Sequence, residues 1–491
     1  MTTVPNRRVL TAVLLAAFAL LLTACGSGGG SSSSSGGSPP AGASLVRSDL
    51  LGFVSIDSDL GSDQWQQFDQ LWQKFPSHDS WLQQLKQALA KHNLDYETDV
   101  KPALGPEFDV GIAPSGTSQA VVGMTKPDDP AKFKQLAAKG DNGTPSVTRD
   151  LGDGWWAIAD KESDFDAVLK GSGTPLSDSG SFTTAIGKLP GDTLVRAYLD
   201  GPQLNQLAKQ RTQGTGSGLD SSTLGLDGLK YLAVSLSAED DGLRLQGASS
   251  GGNLGGKDFA PKLLDAIPAD AFAAFDFLGE GTTQQLQKLQ ATPQFAQVAK
   301  QLERQYGVTA DQLFGLLDGE VAFYARSGAV IPELTLALQP NDPTQALETV
   351  DKLMTHLATE AGTRVVTGTQ GGHEVKTVTF GQFAVHYGAV DGKVIVTSGL
   401  NGIADFGSGG SLTDSADFKE AKSAAGMPDS TGGLFYVDLK NALPLIEGFA
   451  GLSGNNLPPK VTDNLRPLRS LIAWSEGQNG ERTFHAFLEI K

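Results

Sequence analysis

The chain has a single cysteine, Cys25, in 491 residues. Disulfides within the chain are excluded, and so is a catalytic thiol if that cysteine has another task. Histidine is nearly as scarce. His78, His92, His356, His373, His386 and His485 form no His-x-x-x-His or Glu-x-x-His spacing. His373-Glu374 are neighbours, which a strand would point to opposite faces. No metal ligand set is therefore assigned. No Ser-x-x-Lys pair is present, and no serine nucleophile is expected. Gly255-Gly256-Lys257-Asp258 lacks the spacing of a phosphate-binding loop, and no cofactor is implied.

Basic residues are also under-represented. The 38 Lys and Arg against 55 Asp and Glu give a net charge of −17. Such a surface repels nucleic-acid phosphate and anionic headgroups, so nucleic acid is excluded as a partner.

What is present begins at the N-terminus. Arg7 and Arg8 are the only charged residues before Cys25, and a largely apolar run from Val9 to Leu22 follows them. That run is shorter than the roughly 20 residues of a membrane-spanning helix. Leu22-Thr23-Ala24-Cys25 closes it. A basic start, a short apolar stretch and small residues at the end form a secretory signal. The last four residues resemble the lipobox of bacterial lipoproteins, which implies cleavage before Cys25 and a diacylglycerol thioether on its sulfur. The expectation is a protein anchored by lipid to a cell membrane and facing the extracytoplasmic side. Asn6-Arg7-Arg8-Val9-Leu10 partly resembles a twin-arginine signal, with Thr11 departing from it, so both export routes stay open. Loss of residues 1–24 removes two arginines and no acid, which deepens the net charge from −17 to −19.

Gly26 to Pro40 contains only Gly, Ser and Pro, and residues 25–44 are expected to be a flexible linker. Beyond it, one pattern occurs twice. Asp153-Gly154 recurs as Asp391-Gly392, Leu189-Pro190 as Met427-Pro428, Tyr198-Leu199-Asp200 as Tyr436-Val437-Asp438, and Asp241-Gly242 as Asn479-Gly480. All four pairs share one offset, and a second offset relates Glu107 to Glu320 and Asp129-Pro130 to Asp342-Pro343. The difference between offsets leaves room for an extra hairpin in the second copy, where Arg364 to Tyr387 reads as one. Asp129-Pro130 and Asp342-Pro343 predict helix starts, and the Asp-Gly and Asn-Gly pairs predict tight hairpin turns. The fold class is α+β: two tandem related domains, 45–250 and 258–491, each a mostly antiparallel sheet with helices packed on one face.

Asp99-Val100-Lys101-Pro102-Ala103-Leu104-Gly105, with Ser48-Asp49 before Phe53–Asp57, Lys74-Phe75-Pro76 and Lys126-Pro127-Asp128, resembles a bacterial family common in actinobacteria. It is catalogued as domain of unknown function 3352. The resemblance covers most of residues 45–491 and implies a membrane-attached N-terminus, but no activity and no catalytic residues.

Candidate sites are few. Asp57-Ser58-Asp59 with Asp63 could face a cation, but Gly61 stands where a calcium loop needs Asp or Asn. Strand end and helix cap is the reading preferred. Tyr198/Asp200 and Tyr436/Asp438, kept in both copies, are assigned to the fold. Five of the six tryptophans lie in the first copy. Trp65 and Trp72 fall at helical spacing with Phe68 and Phe75, and Trp81 shares a second helix face with Leu82, Leu85 and Leu89, which favours a core, yet Trp65, Trp72, Trp155 and Trp156 are also candidate contacts for an apolar ligand. The expected function is a non-catalytic binding module for an unknown envelope protein or ligand, with the seam between the copies the first place to look. A carrier of a hydrophobic ligand (lipid or glycolipid) and an enzyme using paired carboxylates are the alternatives. Oligomeric state is left open.

Overall fold

The computed structural model describes residues 36–491 except 92, 116–117, 140–144, 213–225, 253–256, 281–292, 329–330, 453–456 and 479. Leu22, Thr23, Ala24 and Cys25 lie outside the described residues, as do the side chains of Trp81, Leu82 and Leu85.

Eight strands belong to the first half: β1 (Gly52–Asp57), β2 (Glu107–Ser115), β3 (Ser118–Thr125), β4 (Val147–Gly152), β5 (Trp155–Ala159), β6 (Val195–Asp200), β7 (Tyr231–Glu239) and β8 (Gly242–Ser250). Ten belong to the second. These are β9 (Ala271–Leu278), β10 (Glu320–Arg326), β11 (Glu333–Gln339), β12 (Val366–Gln370), β13 (His373–Phe380), β14 (Phe383–Val390), β15 (Lys393–Thr397), β16 (Leu434–Asp438), β17 (Leu468–Gln478) and β18 (Glu481–Ile490). All pair antiparallel. The first half runs β4-β5-β3-β2-β1-β6-β7-β8. The second runs β18-β17-β16-β9-β10-β11-β15-β14-β13-β12. β8 hydrogen-bonds β18, so the two halves share one 18-stranded sheet.

The pairing registers reproduce the repeat. Tyr198 faces Phe53, which faces Gly111. Tyr436 faces Ala274, which faces Tyr324. One alignment needs correcting. The closing hairpins join Glu239 to Gly242 and Gln478 to Glu481, so Asp240-Asp241 corresponds to Asn479-Gly480, one residue away from the match on Asp241-Gly242. With that register Gln246 and His485 are equivalent, and they also pair with each other. A local two-fold axis therefore passes through the middle of the β8–β18 ladder.

The hairpin expectation holds where the turns are tight. Asp153 and Gly154 have φ of 51° and 82°, and Asp391 and Gly392 have 48° and 75°. Those values are the left-handed pair that a two-residue turn requires. The additional hairpin of the second half is β12–β13.

Six helices matter here: α1 (Asp63–Trp72), α2 (Pro130–Lys139), α3 (Gly180–Gly187), α4 (Pro343–Glu360), α5 (Ala416–Ala425) and α6 (Leu439–Leu452). Asp129 accepts from Ala131 N–H at 2.8 Å, and Asp342 from Gln345 N–H at 3.0 Å, so both Asp-Pro pairs start helices as capping predicts. The expectation of helices on one face is corrected: they cover both. On one face Phe182 of α3 packs edge-on against Tyr198 (5.1 Å, 84°), and Phe418 of α5 against Tyr436 (5.0 Å, 84°). On the other, Leu71 of α1 packs with Leu194 and Ala238, and Val350 and Met354 of α4 pack with Val321 and Leu338. The strands accordingly bury both of their faces, Phe53 in one cluster and Val54 in another.

The seam is filled. Leu71 shares its cluster with Leu468, Leu488 and Ile490 of the second half, and Lys74 Nζ donates to the Ile490 carbonyl at 2.8 Å. On the opposite face buried Arg244 lies over Phe487 and donates to the Ala425 carbonyl at 2.9 Å. His485 stacks on Trp474, and burial, helped by Arg244, pushes its pKa down to about 3.

Candidate functional site

One acidic pair anchors the entry to each half. In the first, the N–H groups of Ala41 and Gly42 donate to Glu107 Oε1 (3.0 Å) and Asp109 Oδ2 (2.9 Å). In the second, the N–H groups of Lys262 and Leu263 donate to Glu320 Oε1 at 2.7 and 2.6 Å. Each carboxylate thus caps a short 3₁₀ turn, Ala41–Ser44 or Leu263–Asp265. Residues 36–44, assigned to the linker by composition, are therefore docked on the body. Gly37 N–H also donates to the Leu189 carbonyl at 2.9 Å, and Arg196 donates to the Ser38 carbonyl.

The second carboxyl of each pair has changed strands. Ser55 faces Asp109 in the first half, and Asp276 faces Ala322 at the equivalent rung of the second. Burial, reinforced by Glu320, pushes the Asp276 carboxyl up to about 9. Burial, reinforced by Glu107, drives Asp109 the same way.

The tryptophans do not converge. Trp65 Nε1 donates to the Asp57 carbonyl at 2.7 Å, and its ring joins the seam cluster. Trp72 stacks between Phe68 and Phe75. Trp155 packs into the core of the first half, while Trp156, pointing to the other face, meets Phe133 of α2 and the Lys134 ammonium. Trp65 and Trp72 thus lie on α1 and Trp155 and Trp156 on β5. Asp57 and Asp59 are engaged locally: Asp57 accepts from Ser62 Oγ and Asp59 N–H, and Asp59 from Gly61 N–H. Among the described residues no three metal-ligating side chains converge.

Gly247-Ala248-Ser249-Ser250-Gly251 has the spacing of a hydrolase nucleophile motif, contrary to the expectation of none. It runs along β8 instead of a strand-to-helix elbow. Ser249 is buried between Leu232 and Arg482 of the neighbouring strands, and its Oγ has no hydrogen-bond partner among the described residues.

A cavity of about 250 Å³ opens in the second half, where α5, β16, β17 and the end of β18 meet. Tyr436 and Asp438 line it, so residues read as structural belong to its wall. Asp438 starts α6 by accepting from Asn441 N–H (3.0 Å) and Asn441 Nδ2 (2.6 Å), and burial raises its pKa. Glu489 is buried, accepting from Ser470 Oγ at 2.7 Å and lying 2.6 Å from Lys491 Nζ. Lys491 also bridges to Glu420 on α5, whose pKa it lowers. Lys440 lies 3.5 Å from Asp417.

Two groups on this wall are uncommitted. Arg469 forms no hydrogen bond or ion pair among the described residues, and its Nε is buried. The Tyr436 hydroxyl has no hydrogen-bond partner there either, whereas the first-half hydroxyl of Tyr198 lies 3.4 Å from Asp200. The first half has no such wall. By register Ser470 corresponds to Tyr231, whose ring is buried in the core, and Glu489 to Ser250. Arg469 stands where the first half has Lys230. These residues are far apart in sequence. The only signal available was that the second copy departs from the first at positions the repeat places side by side.

The chain matches the family described as "Protein of unknown function (DUF3352)" over residues 9–149 and 166–490, and it belongs to that family. No curated protein matches it. Among solved structures, crystal form IV of TP0453 is similar at 12% identity with a TM-score of 0.23, covering 45% of this chain and 76% of that one. Crystal form I gives 11% identity and a TM-score of 0.24, covering 46% and 78%. Scores this low carry no argument about fold or function.

Proposed function

We propose that the chain is a lipid-anchored extracytoplasmic protein, built from two tandem related halves, that binds a ligand without transforming it. The observation that carries this reading is the cavity, where Arg469, Ser470 and Glu489 stand in place of Lys230, Tyr231 and Ser250 of the first half. Four carboxylates border it, but Lys491, Lys440 and Asn441 engage them, an arrangement suited to holding a ligand rather than moving protons. The location rests on Arg7, Arg8 and the Leu22–Cys25 sequence, with Cys25 as the lipidated residue. Among the described residues no helix is long and apolar enough to cross a membrane.

Two measurements test the reading. Cys25→Ala should shift the protein from the membrane fraction to the soluble one without changing its melting midpoint; full membrane retention would overturn the anchor. Native mass spectrometry of the protein released from its own membrane should show a bound small mass that Arg469→Gln removes.

A second reading, a carrier of a hydrophobic ligand, now rests on phenylalanines instead of tryptophans. Phe275 and Phe323, side by side on β9 and β10, are 39% and 42% exposed. A lipid mass lost in Phe323→Ser but kept in Arg469→Gln would favour it.

A further inference from the structure

We propose that the cavity of the second half binds a small zwitterion, with an anionic group on Arg469 and a cationic group between Asp438 and Glu489. The proposal rests on the binding reading above and names the ligand class for that site.

The charge inventory leads to it. Lys491 sits between Glu489 and Glu420, one cation against two anions, and Lys440 pairs with Asp417. Asp438 is satisfied only by the neutral amide and backbone of Asn441. Arg469 makes no direct ion pair or hydrogen bond among the described residues, and its charge reaches Glu420 only at longer range. The wall therefore holds one guanidinium with no direct partner, and four acids, Asp438 and Glu489 among them, against three cations. A simple anion would meet the acids, and a simple cation would leave Arg469 unpaired. A molecule carrying both charges complements both, and a planar guanidinium suits a carboxylate or phosphate. Tyr436 lines the same wall, and its hydroxyl supplies a further donor or acceptor there.

Size narrows the class. A cavity of about 250 Å³ is smaller than typical drug-sized sites and fits a single amino-acid-sized molecule. Its origin fits as well. In the first half the buried ring of Tyr231 fills the position that Ser470 leaves open in the second. Desolvated charges discriminate strongly, because an analogue lacking one charge leaves its partner unpaired.

The test is calorimetric titration of the full chain with glycine, 4-aminobutyrate and 6-aminohexanoate, and with butyrate and butylamine as single-charge analogues. At least one zwitterion should bind about tenfold or more tightly than both analogues. Arg469→Gln and Asp438→Asn, which keeps a capping side chain, should each weaken it by about tenfold or more. Lys230→Gln, the first-half counterpart, should leave it unchanged. Analogues binding as tightly as the zwitterions, or equal losses from Lys230→Gln and Arg469→Gln, would overturn the proposal. If no zwitterion binds but the native protein still carries an Arg469-dependent mass, the ligand class falls and the binding reading stands. If that mass is absent too, both fall.

Discussion

The two halves of the sheet solve the same packing problem with different side chains. At one equivalent rung, facing the same side, the first half places Val54, Val110 and Ala197, exposed by 3%, 0% and 3%. The second places Phe275, Phe323 and Phe435 on the matching strands. Larger rings at these positions are less covered, so the backbone repeat has been kept while its surface has not. The acidic pairs differ in the opposite sense: the carboxyl stands on β2 in one half and on β9 in the other, yet both halves still place two acids beside a 3₁₀ turn. Conservation of the arrangement over the residue marks a structural task. Departure of the residue within a fixed arrangement marks a place free to acquire function.

The comparison is most sharply broken at the cores. Phe182→Ala and Phe418→Ala, which remove the same edge-on ring contact, should each cost about 3–5 kcal/mol in chemical denaturation. Both variants should still melt in one transition, because the Leu71 cluster draws on both halves. Two separated transitions would show that the halves fold independently. Next comes the differing rung. Val110→Phe should cost about 1–3 kcal/mol through overpacking, and Phe323→Val less than about 1 kcal/mol. Equal costs would mean the two faces are covered alike.

A third difference depends on pH. Below about pH 4 Asp276 is protonated in the folded and unfolded chain alike, and its contribution to stability is fully present. As pH rises the unfolded chain ionises while the folded carboxyl keeps its proton, so stability falls until the folded group titrates near 9. Asp276→Asn should therefore flatten the decline between pH 4 and about 9, its gain in denaturant midpoint over the parent growing with pH across that window. Asp109→Asn should act in the same direction. An unchanged slope in both would show that the pairs are fully ionised.

Much of the fold was legible because turns and caps are local. Asp153-Gly154 and Asp391-Gly392 announce their hairpins, and Asp129-Pro130 and Asp342-Pro343 their helices, through backbone requirements few other residues meet. Helices on the second face were missed although strand runs such as Gly52–Ile56 and Ala271–Leu278 show too little polar alternation for a sheet with one wet side. The docking of residues 36–44 was not legible, since glycine-rich composition cannot show that Glu107 and Asp109 accept its N–H groups. Nor was the cavity: Asp417 and Lys491 are far apart along the chain, and no short motif joins them.

The axis through Gln246 and His485 gives the protein the geometry of an isologous dimer written into one polypeptide, each half offering its last strand to the other. Two separate chains joined this way would be stable only above a threshold concentration, and every substitution would appear on both sides. Fusion removes both constraints. A sparse protein holds its pairing at any dilution, and Arg469 and Ser470 occur once, so one partner can specialise while the other preserves the scaffold.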